Sequence, residues 1–386
     1  MKHVAPTRRE MLLTLSGALA GASLLRNAAA QDRPAITLPR ATAGDTAVEP
    51  AWEQNLSLSA GGDDADLPGF SDKTIQAAVD YVARLGGGTV RLTPGTFRMR
   101  NAVYLPSKVR LAGAGDDTIL LKEACIETTL AEDSDWYDQE ITLKDSTGFE
   151  LGDGICLQTK NPHNGGLDVL RRTLVARSGN RFKLDRALRE NFWTDQTPTV
   201  STLFPLIAAE NAEDLGIENL ALDGNRPNNP NLNGNYAGCI WMQDCSRIAI
   251  RGVTARNYNG DGISWQVCHD VTVERCHSHG HAGLGLHPGS GAQRAVIREN
   301  LLEDNDIGIF FCWGVKYGLA EKNTLRRNAT GISIGHRDDE NLVRDNDILD
   351  SGTVGVVFRP ERGEGYTAQG NRVVNNRIVN SGGDDC

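Results

Sequence analysis

The chain has 386 residues, with 50 Asp and Glu against 40 Lys and Arg, 42 glycines and only 6% aromatic residues. A net charge of −10 argues against a protein that wraps nucleic acid, because nucleic acids are bound mainly through Lys and Arg contacts to phosphate. Acidic glycans are not excluded, since a local basic groove can outweigh a distant acidic surface.

The first thirty residues have the pattern of an export signal. Arg8 and Arg9 precede an apolar stretch that is too short to span a bilayer, and Ala28–Ala30 supplies a small-residue cleavage site. We predict a twin-arginine signal peptide over residues 1–30, hence a periplasmic or secreted protein with no membrane span. A retained membrane anchor is the alternative. Residues 31–65, rich in Ala, Asp, Pro and Gly, are predicted to form a flexible N-terminal arm.

A helix is predicted directly after the arm, where Ser71 or Asp72 can cap its first turn and Gly86–Gly88 end it. Its apolar face consists of three residues at helical spacing, Ile75, Val79 and Val82. Such a helix would cover the open end of a solenoid, whose unpaired strand edge would otherwise recruit other chains.

The segments "IQAAVDYVARLGGGTVRLTPGTF" and "VYLPSKVRLAGAGDDTIL" resemble the opening of the pectate-lyase-like β-helix proteins. The resemblance covers about residues 65–125 specifically and the later part of the chain more generically. It implies a right-handed parallel β-helix that acts on a carbohydrate polymer. Lyases of this family often use an Arg or Lys base with calcium held by acidic residues. The outward strands of this chain show no compact acidic trio, so the cofactor is left unknown, with calcium as the candidate.

Residues 125–205 contain strand-like segments around turns such as Ser178–Asn180. We predict a β-rich insertion that projects from one side of the fold. Its loops, with Trp136, Trp193 and the Asn-rich stretch 223–236, would wall a groove; plain loop is the alternative.

A repeat of 23 residues dominates the C-terminal half. The stacked positions are Gly285, Gly308 and Gly331, and the lines close on Asn300, Asn323 and Asn346. Within each repeat, apolar residues alternate in short runs bounded by Gly, Asn and Asp, which is typical of strands. A fixed period indicates a solenoid whose repeats bury their apolar faces against each other. The sequence therefore predicts an all-β, right-handed, single-stranded parallel β-helix over residues 66–386, with coils about 4.8 Å apart.

A charged turn, His336-Arg337-Asp338-Asp339, interrupts two apolar runs of the repeat. By the register, Trp313 shares the column of His336 and Lys316 shares the column of Asp339. His287 is predicted to point outward from its strand beside three other residues, Ser264, Phe310 and Ser333. This pattern is similar to a sugar platform, with an aromatic ring for the pyranose face and cations for carboxylates.

We predict four catalytic residues, His336, Arg337, Asp338 and Lys316. They would supply proton abstraction and neutralisation of a uronate carboxylate, the two requirements of β-elimination. The predicted substrate-binding residues are His287, Trp313, Gln266, Arg359 and Asp261. A ladder salt bridge with Asp339 is the alternative for Lys316.

The predicted function is that of an exported polysaccharide lyase or epimerase acting on a uronate-containing glycan, with a polysaccharide or oligosaccharide as partner. A glycoside hydrolase with an Asp pair such as Asp261 and Asp338 is one alternative, because hydrolysis needs two carboxyls across a groove. A non-catalytic glycan-binding or surface solenoid is the other.

Three further features leave alternatives open. Four histidines, His277, His279, His281 and His287, would bind zinc or a related metal if they face one side of a strand, and are otherwise solvated turn residues. Cys245 and Cys268 stack one repeat apart, and buried free thiols are expected rather than a disulfide. The chain stops where a further coil would start, so we expect an oligomer contact or further coils beyond a truncation to cover that edge.

Overall fold

The computed structural model describes residues 49–161, 163–360 and 362–382. The predicted signal peptide and the first part of the predicted arm, residues 1–48, lie outside the described residues, as do residues 383–386 at the end. No helix in the described part of the chain is long and apolar enough to cross a membrane.

The N-terminal coils contain six strands and one α-helix among the described residues. In chain order the elements are a 3-10 helix (Trp52–Gln54), β1 (Leu56–Gly61), β2 (Leu67–Pro68), α1 (Asp72–Arg84), β3 (Gly88–Leu92), β4 (Gly95–Met99), β5 (Val103–Tyr104) and β6 (Val109–Lys122). Strand β1 pairs in parallel with β3 from Leu56 to Ala60. Strand β1, which lies within the predicted arm of residues 31–65, is therefore part of the parallel sheet.

Helix α1 packs on β1 and β3 at the N-terminal end of the β-helix, as predicted. Ser71 is the N-cap, and its hydroxyl accepts a hydrogen bond from the Thr74 N–H at 3.3 Å. The predicted apolar face is completely buried, namely Ile75, Val79 and Val82. Burial of each such side chain stabilises the fold by about 1.5–3 kcal/mol.

The predicted β-rich insertion is confirmed as a separate antiparallel sheet with its own core. Its strands are β7 (Glu127–Thr129), β8 (Glu140–Thr142), β9 (Gly154–Lys160), β10 (Leu167–Ser178), β11 (Arg181–Leu184) and β12 (Thr199–Ser201), and a 3-10 helix covers Thr194–Gln196. The order across the sheet is β7-β12-β9-β10-β11-β8. Phe149, Phe182 and Phe192 lie in a hydrophobic cluster distinct from that of the β-helix.

The remaining chain winds through successive coils. Their strands are β13 (Ile207–Glu210), β14 (Glu213–Asp223), β15 (Gly238–Gln243), β16 (Ser246–Arg251), β17 (Thr254–Arg256), β18 (Asp261–Gln266), β19 (His269–Glu274), β20 (His277–His279), β21 (Leu284–Pro288), β22 (Val296–Arg298), β23 (Leu301–Glu303), β24 (Ile307–Phe310), β25 (Leu319–Glu321), β26 (Thr324–Arg326), β27 (Thr330–Ile334), β28 (Leu342–Arg344), β29 (Asp347–Leu349), β30 (Val354–Phe358), β31 (Arg372–Val374) and β32 (Arg377–Val379), with a 3-10 helix at Arg226–Asn228.

Parallel pairing between neighbouring coils confirms the predicted solenoid. One sheet, hereafter the site sheet, has the order β5-β13-β15-β18-β21-β24-β27-β30 among the described strands. Its inward side chains, including Ile263, Leu286 and Ile309, are fully buried in the core. The opposite side of the site sheet carries the residues considered for function.

The asparagine column is a ladder of buried side chains. The Asn300 amide donates to Asn323 Oδ1 at 2.9 Å, and the Asn323 amide donates to Asn346 Oδ1 at the same distance. Asn346 continues the ladder to Asn376, where the spacing increases from 23 to 30 residues. These bonds fix the register of the coils, because each amide satisfies groups on two neighbouring turns.

The cysteines in the described residues are free thiols. Cys245 and Cys268 lie in neighbouring coils without a bridge, and the Cys245 N–H donates to Cys268 Sγ at 3.4 Å. Residues 383–386 lie outside the described residues, so the covering of the C-terminal edge stays a prediction.

Candidate functional site

A row of side chains runs across the outer surface of the site sheet. Trp241 pairs with Ser264, and Ser264 pairs with His287 on the next strand. Phe310 follows on β24 and pairs with Ser333 on β27. The predicted outward column is thus correct, and it places one imidazole between a hydroxyl and an aromatic ring.

Asp261 and His287 form a hydrogen-bonded pair in this row. His287 Nδ1 lies 2.7 Å from Asp261 Oδ2, and the other oxygen of Asp261 accepts the Leu284 N–H at 3.0 Å. His287 Nε2 is buried and has no hydrogen-bond partner among the described residues. The carboxylate therefore orients the ring with its Nδ1–H toward Asp261, which leaves the Nε2 lone pair available as a base.

A loop over residues 224–236 covers this pair. Ser264 Oγ donates to the Gly234 carbonyl at 2.7 Å and accepts from Gln266 Nε2 at 3.1 Å. A Cβ on Gly234 would lie 1.6 Å from Asp261 Oδ2, so only glycine allows the loop to approach the carboxylate this closely. The predicted binding residues Gln266, Asp261 and His287 are therefore together, under the Asn-rich stretch that was expected to wall a groove.

Arg359 lies on the other side of Phe310. The guanidinium carbon of Arg359 is 4.2 Å from the centre of the Phe310 ring. The centre of the His287 ring is 5.5 Å from the same Phe310 ring centre. Arg359 donates to Ser333 Oγ, the Phe311 carbonyl and Asp338, and its Nε is buried with no partner in the described part of the chain. Burial lowers the pKa of Arg359, with Asp338 opposing that shift.

A cluster of cations and aromatic rings, which we call the cationic patch, borders this row; it consists of Trp313, His336, Arg337, Arg362 and Tyr366. The rings of Trp313 and His336 are 5.1 Å apart, and those of Trp313 and Tyr366 are 5.9 Å apart. The guanidinium of Arg337 lies 4.4 Å from the Tyr366 ring centre, and that of Arg362 lies 5.3 Å from Trp313. Desolvation and then Arg359 and Arg362 lower the pKa of His336, which favours its neutral form.

Two of the predicted catalytic residues, Asp338 and Lys316, are bonded within the β-helix. The Asp338 side chain is completely buried, accepting the Val315 N–H at 2.9 Å with one oxygen and the Gly335 N–H at 2.8 Å with the other. Lys316 forms an ion pair with Asp339 on the next coil, the ladder salt bridge that was the alternative. Backbone hydrogen bonds engage the Asp338 carboxylate, and an ion pair engages the Lys316 ammonium, so neither group is free to contact a ligand. These contacts favour structural roles for Asp338 and Lys316 over the predicted catalytic ones.

Sequence reasoning missed Arg362 and Tyr366, which lie in the loop between β30 and β31. A change in the repeat length of the asparagine ladder could have predicted this loop. Asn341 bonds to Asn371 and Asn346 bonds to Asn376, each across 30 residues, whereas earlier ladder partners are 23 apart. The seven extra residues of this coil form a loop that carries an arginine and a tyrosine over Trp313.

The histidines considered for zinc do not form a common site. His277 Nε2 bonds to Glu303 at 2.8 Å, and His277 stacks on His279 at 4.1 Å. His281 is buried, accepts the Tyr258 N–H and donates to the Ala255 carbonyl, and burial lowers its pKa to about 3. Among the residues that the structure describes, no group of three His, Cys, Asp or Glu residues is placed to hold a metal ion.

Comparison with known proteins agrees with the fold. No curated protein sequence matches the chain significantly. Residues 238–385 match the family model described as a right handed beta helix region. The fold of the chain is that of a parallel β-helix, and the family match covers its C-terminal coils.

Several solved structures are similar to this β-helix protein over most of its length, at low identity and low TM-score. The A-module of mannuronan C-5 epimerase AlgE6 from Azotobacter vinelandii is 16% identical, with a TM-score of 0.46 over 80% of this chain and 72% of that one. A family 28 exopolygalacturonase from Yersinia enterocolitica is 15% identical, with a TM-score of 0.45 over 81% and 63%. A putative glycosyl hydrolase from Parabacteroides merdae is 13% identical, with a TM-score of 0.34 over 84% and 96%.

Proposed function

We propose that this β-helix protein binds an anionic, uronate-containing polysaccharide along the outer surface of the site sheet and acts on it as a lyase or epimerase. The supporting observation is that His287 and Arg359 contact the same aromatic ring, Phe310, and that Arg359 also acts on His336 of the cationic patch. We also propose, from the twin-arginine pattern, that the protein is exported to the periplasm or beyond.

The patch suits an acidic sugar chain. Trp313 is 39% exposed and offers a flat ring for a pyranose face, and the exposed Arg337 and Arg362 offer donors for carboxylates. Guanidinium groups bind carboxylates with planar, paired hydrogen bonds, so arginine favours uronates over neutral sugars. This concentration of positive charge is local, because the whole chain carries a net charge of −10.

His287 is the proposed base. Its Nε2 would take the proton from C5 of the uronate, while Asp261 stabilises the imidazolium that forms. Arg359, through Nε, would neutralise the charge that moves onto the sugar carboxylate. In elimination, the electrons of the C–H bond form the C4=C5 double bond, and the departing O4 takes a proton from solvent. In epimerisation, C5 is protonated again from the opposite face.

The buried position of His287 sets a condition on this chemistry. Its side chain is only 5% exposed, so the loop over residues 224–236 must move aside for a sugar to reach Nε2. The loop contacts the site through the Gly234 carbonyl and Ser264, a contact that a competing sugar hydroxyl can replace.

Hydrolysis by the carboxyl pair considered from sequence has less support. Asp338 is buried, with both oxygens hydrogen-bonded, and Asp261 is held by His287 and the Leu284 N–H. Hydrolysis needs one carboxyl to protonate the leaving oxygen and a second to activate water or attack carbon, about 5 to 9.5 Å apart across an open groove. Binding without catalysis is the second candidate, because burial of His287 under the loop is also what a purely structural pair would show.

The test is an activity screen on pectate, alginate and glycosaminoglycans with wild type, His287→Gln and His277→Gln. His277 is the matched control, since it is an outward histidine paired with an acid on another sheet. We expect new ultraviolet-absorbing unsaturated ends, or a changed uronate epimer ratio, with wild type and His277→Gln. Loss of the base should lower the rate about 10²- to 10⁴-fold in His287→Gln.

The other outcomes separate the candidates. Rising reducing ends without unsaturated products would identify a hydrolase. Binding of a uronan with no chemical change would support the glycan-binding alternative. Full activity of a folded His287→Gln protein, with circular dichroism unchanged, would rule out His287 as the base.

A further inference from the structure

A cavity of about 620 Å³ lies where α1, the insertion and the first coils meet. Lys73 and Gln76 of α1, Arg171 and Arg186 of the insertion, and Glu210 at the end of β13 line it. Its volume is within the range of small-molecule pockets, about 300–1,000 Å³. Neither the cationic patch nor the Asp261–His287 pair contributes to its walls.

Arg171 is the side chain of this cavity that points to a ligand. It crosses from β10 to the β-helix, with its guanidinium carbon 3.8 Å from the Trp241 ring centre and its Nη2 3.2 Å from Glu210 Oε1. The side chain is 11% exposed, and its Nη1 is buried with no hydrogen-bond partner in the described residues. A buried charged donor without an acceptor is unfavourable, so a ligand that supplies an acceptor gains binding energy.

Four acidic groups line the cavity, and three of them, Asp80, Asp185 and Glu210, contact polar or cationic side chains of the same cavity. Glu210 contacts both Arg171 and Arg186, and Arg186 also lies 3.8 Å from Asp185. Asp80 accepts a hydrogen bond from Gln76 at 2.9 Å. Glu210 and Asp185 therefore act to hold the cationic side chains in place. The Nη1 donor of Arg171 therefore remains available to an acceptor atom of a ligand.

The floor of the cavity is apolar, formed by Ala102, Leu105, Pro106 and Ala209 beside the Tyr104 ring. Burial raises the pKa of Tyr104, so its hydroxyl keeps its proton and remains a donor. An apolar floor with a few convergent polar groups suits a sugar ring, whose faces are apolar and whose edge carries hydroxyls.

We propose that this cavity binds a short sugar acid, one or two uronate units long, with its carboxylate on Nη1 of Arg171. The choice of a uronate rests on the proposed function. Trp241, which Arg171 covers, belongs to the same outward row as Ser264 and His287. The cavity at β13 is three strand steps from His287 on β21, about 14 Å along the axis. It is a second sugar site, which takes either the end of the bound polymer or its released products.

Calorimetric titration with uronate disaccharides and their neutral counterparts tests the proposal. Wild type should bind the uronates more tightly than the neutral sugars, and Arg171→Gln should weaken uronate binding about tenfold or more. Since Arg171 also packs the insertion onto the β-helix, Arg186→Gln serves as a second variant at a half-exposed position. Arg181→Gln, a distant arginine of the insertion paired with Glu140, is the matched control and should bind as wild type does.

Failure of the cavity proposal can be distinguished from failure of the proposed activity on polymers. His287→Gln should lose action on the polymer and keep disaccharide binding, because the two sites share no residue. Polymer with blocked ends, tested beside free disaccharide, separates a chain-end site from a product site. Equal binding of neutral sugars, unchanged binding in both Arg171→Gln and Arg186→Gln, or no uronate binding at all would overturn the proposal, whatever the activity on polymers.

Discussion

At the scale of single residues, the charged turn after β27 separates into buried and exposed members. Asp338 is buried and holds the backbone of two coils, whereas Arg337 is exposed against Tyr366. Residue type alone does not distinguish these roles, because both positions carry charge and adjoin in sequence. The two roles differ because the side chains point in different directions in the folded chain. Asp338 turns inward and accepts hydrogen bonds from two backbone N–H groups that would otherwise be unsatisfied.

Asp338 also gives a prediction about pH. Desolvation raises its pKa to about 6, above the ordinary carboxyl value of about 4, although two backbone N–H groups and Arg359 oppose the shift. The folded protein therefore holds a proton that the unfolded chain has already lost between about pH 4 and 6. The stabilisation from this group is complete below that window and is lost as pH rises through 6.

Urea unfolding of wild type and Asp338→Asn at about pH 4 and about pH 7 measures this effect. We expect the free energy of unfolding of wild type, relative to the variant, to fall as pH rises. A difference between the two proteins that is the same at both pH values would contradict the assigned pKa shift.

At the scale of elements, the coils of the β-helix were predictable from the sequence, whereas the side-chain pairs and loops on their outer surface were not. The 23-residue period, the Asn ladder and the cap around α1 follow from local patterns, because each coil repeats the same inward residues. The pairing of Asp261 with His287 does not follow, since the two side chains meet across neighbouring strands at unequal positions in the repeat. The cationic patch was predicted only in part, because a loop outside the repeat supplies Arg362 and Tyr366.

The Asn ladder gives the prediction at this scale. Asn323 is buried and accepts two hydrogen bonds from Asn300, while its amide donates to Ile297 and Asn346. Asn323→Ala would leave buried backbone and amide groups unsatisfied and should destabilise the protein by about 2–4 kcal/mol. Chemical denaturation compares it with Thr324→Ala, a partly exposed neighbour that should change stability by less than about 1 kcal/mol. Similar losses in both variants would show that the ladder does not fix the coils.

At the scale of the whole molecule, an acidic protein concentrates positive charge at one end of the site sheet. A uronan approaching this protein is repelled by most of the surface and attracted by the cationic patch, so its affinity should depend on salt. Raising ionic strength from about 0.1 M to 1 M shortens the screening length from about 10 Å to 3 Å. We expect uronan binding to weaken about 5- to 30-fold over this range, from a few exposed charge contacts.

The double variant Arg337→Gln, Arg362→Gln isolates the patch in that experiment, and the exposed Arg98→Gln on β4 is its control. The salt dependence should become shallower in the double variant and stay unchanged in the control. An equal salt dependence in all three proteins would place the bound glycan elsewhere on the surface.

The central claim is that His287 removes the C5 proton of a uronate bound beside Phe310 and Arg359. The most direct measurement is incorporation of deuterium at C5 when the polymer found in the activity screen is incubated with the protein in heavy water, together with formation of unsaturated ends. We predict one or both signals with wild type and with His277→Gln, and neither with His287→Gln. Deuterium incorporation or elimination at wild-type rate in folded His287→Gln would contradict the account.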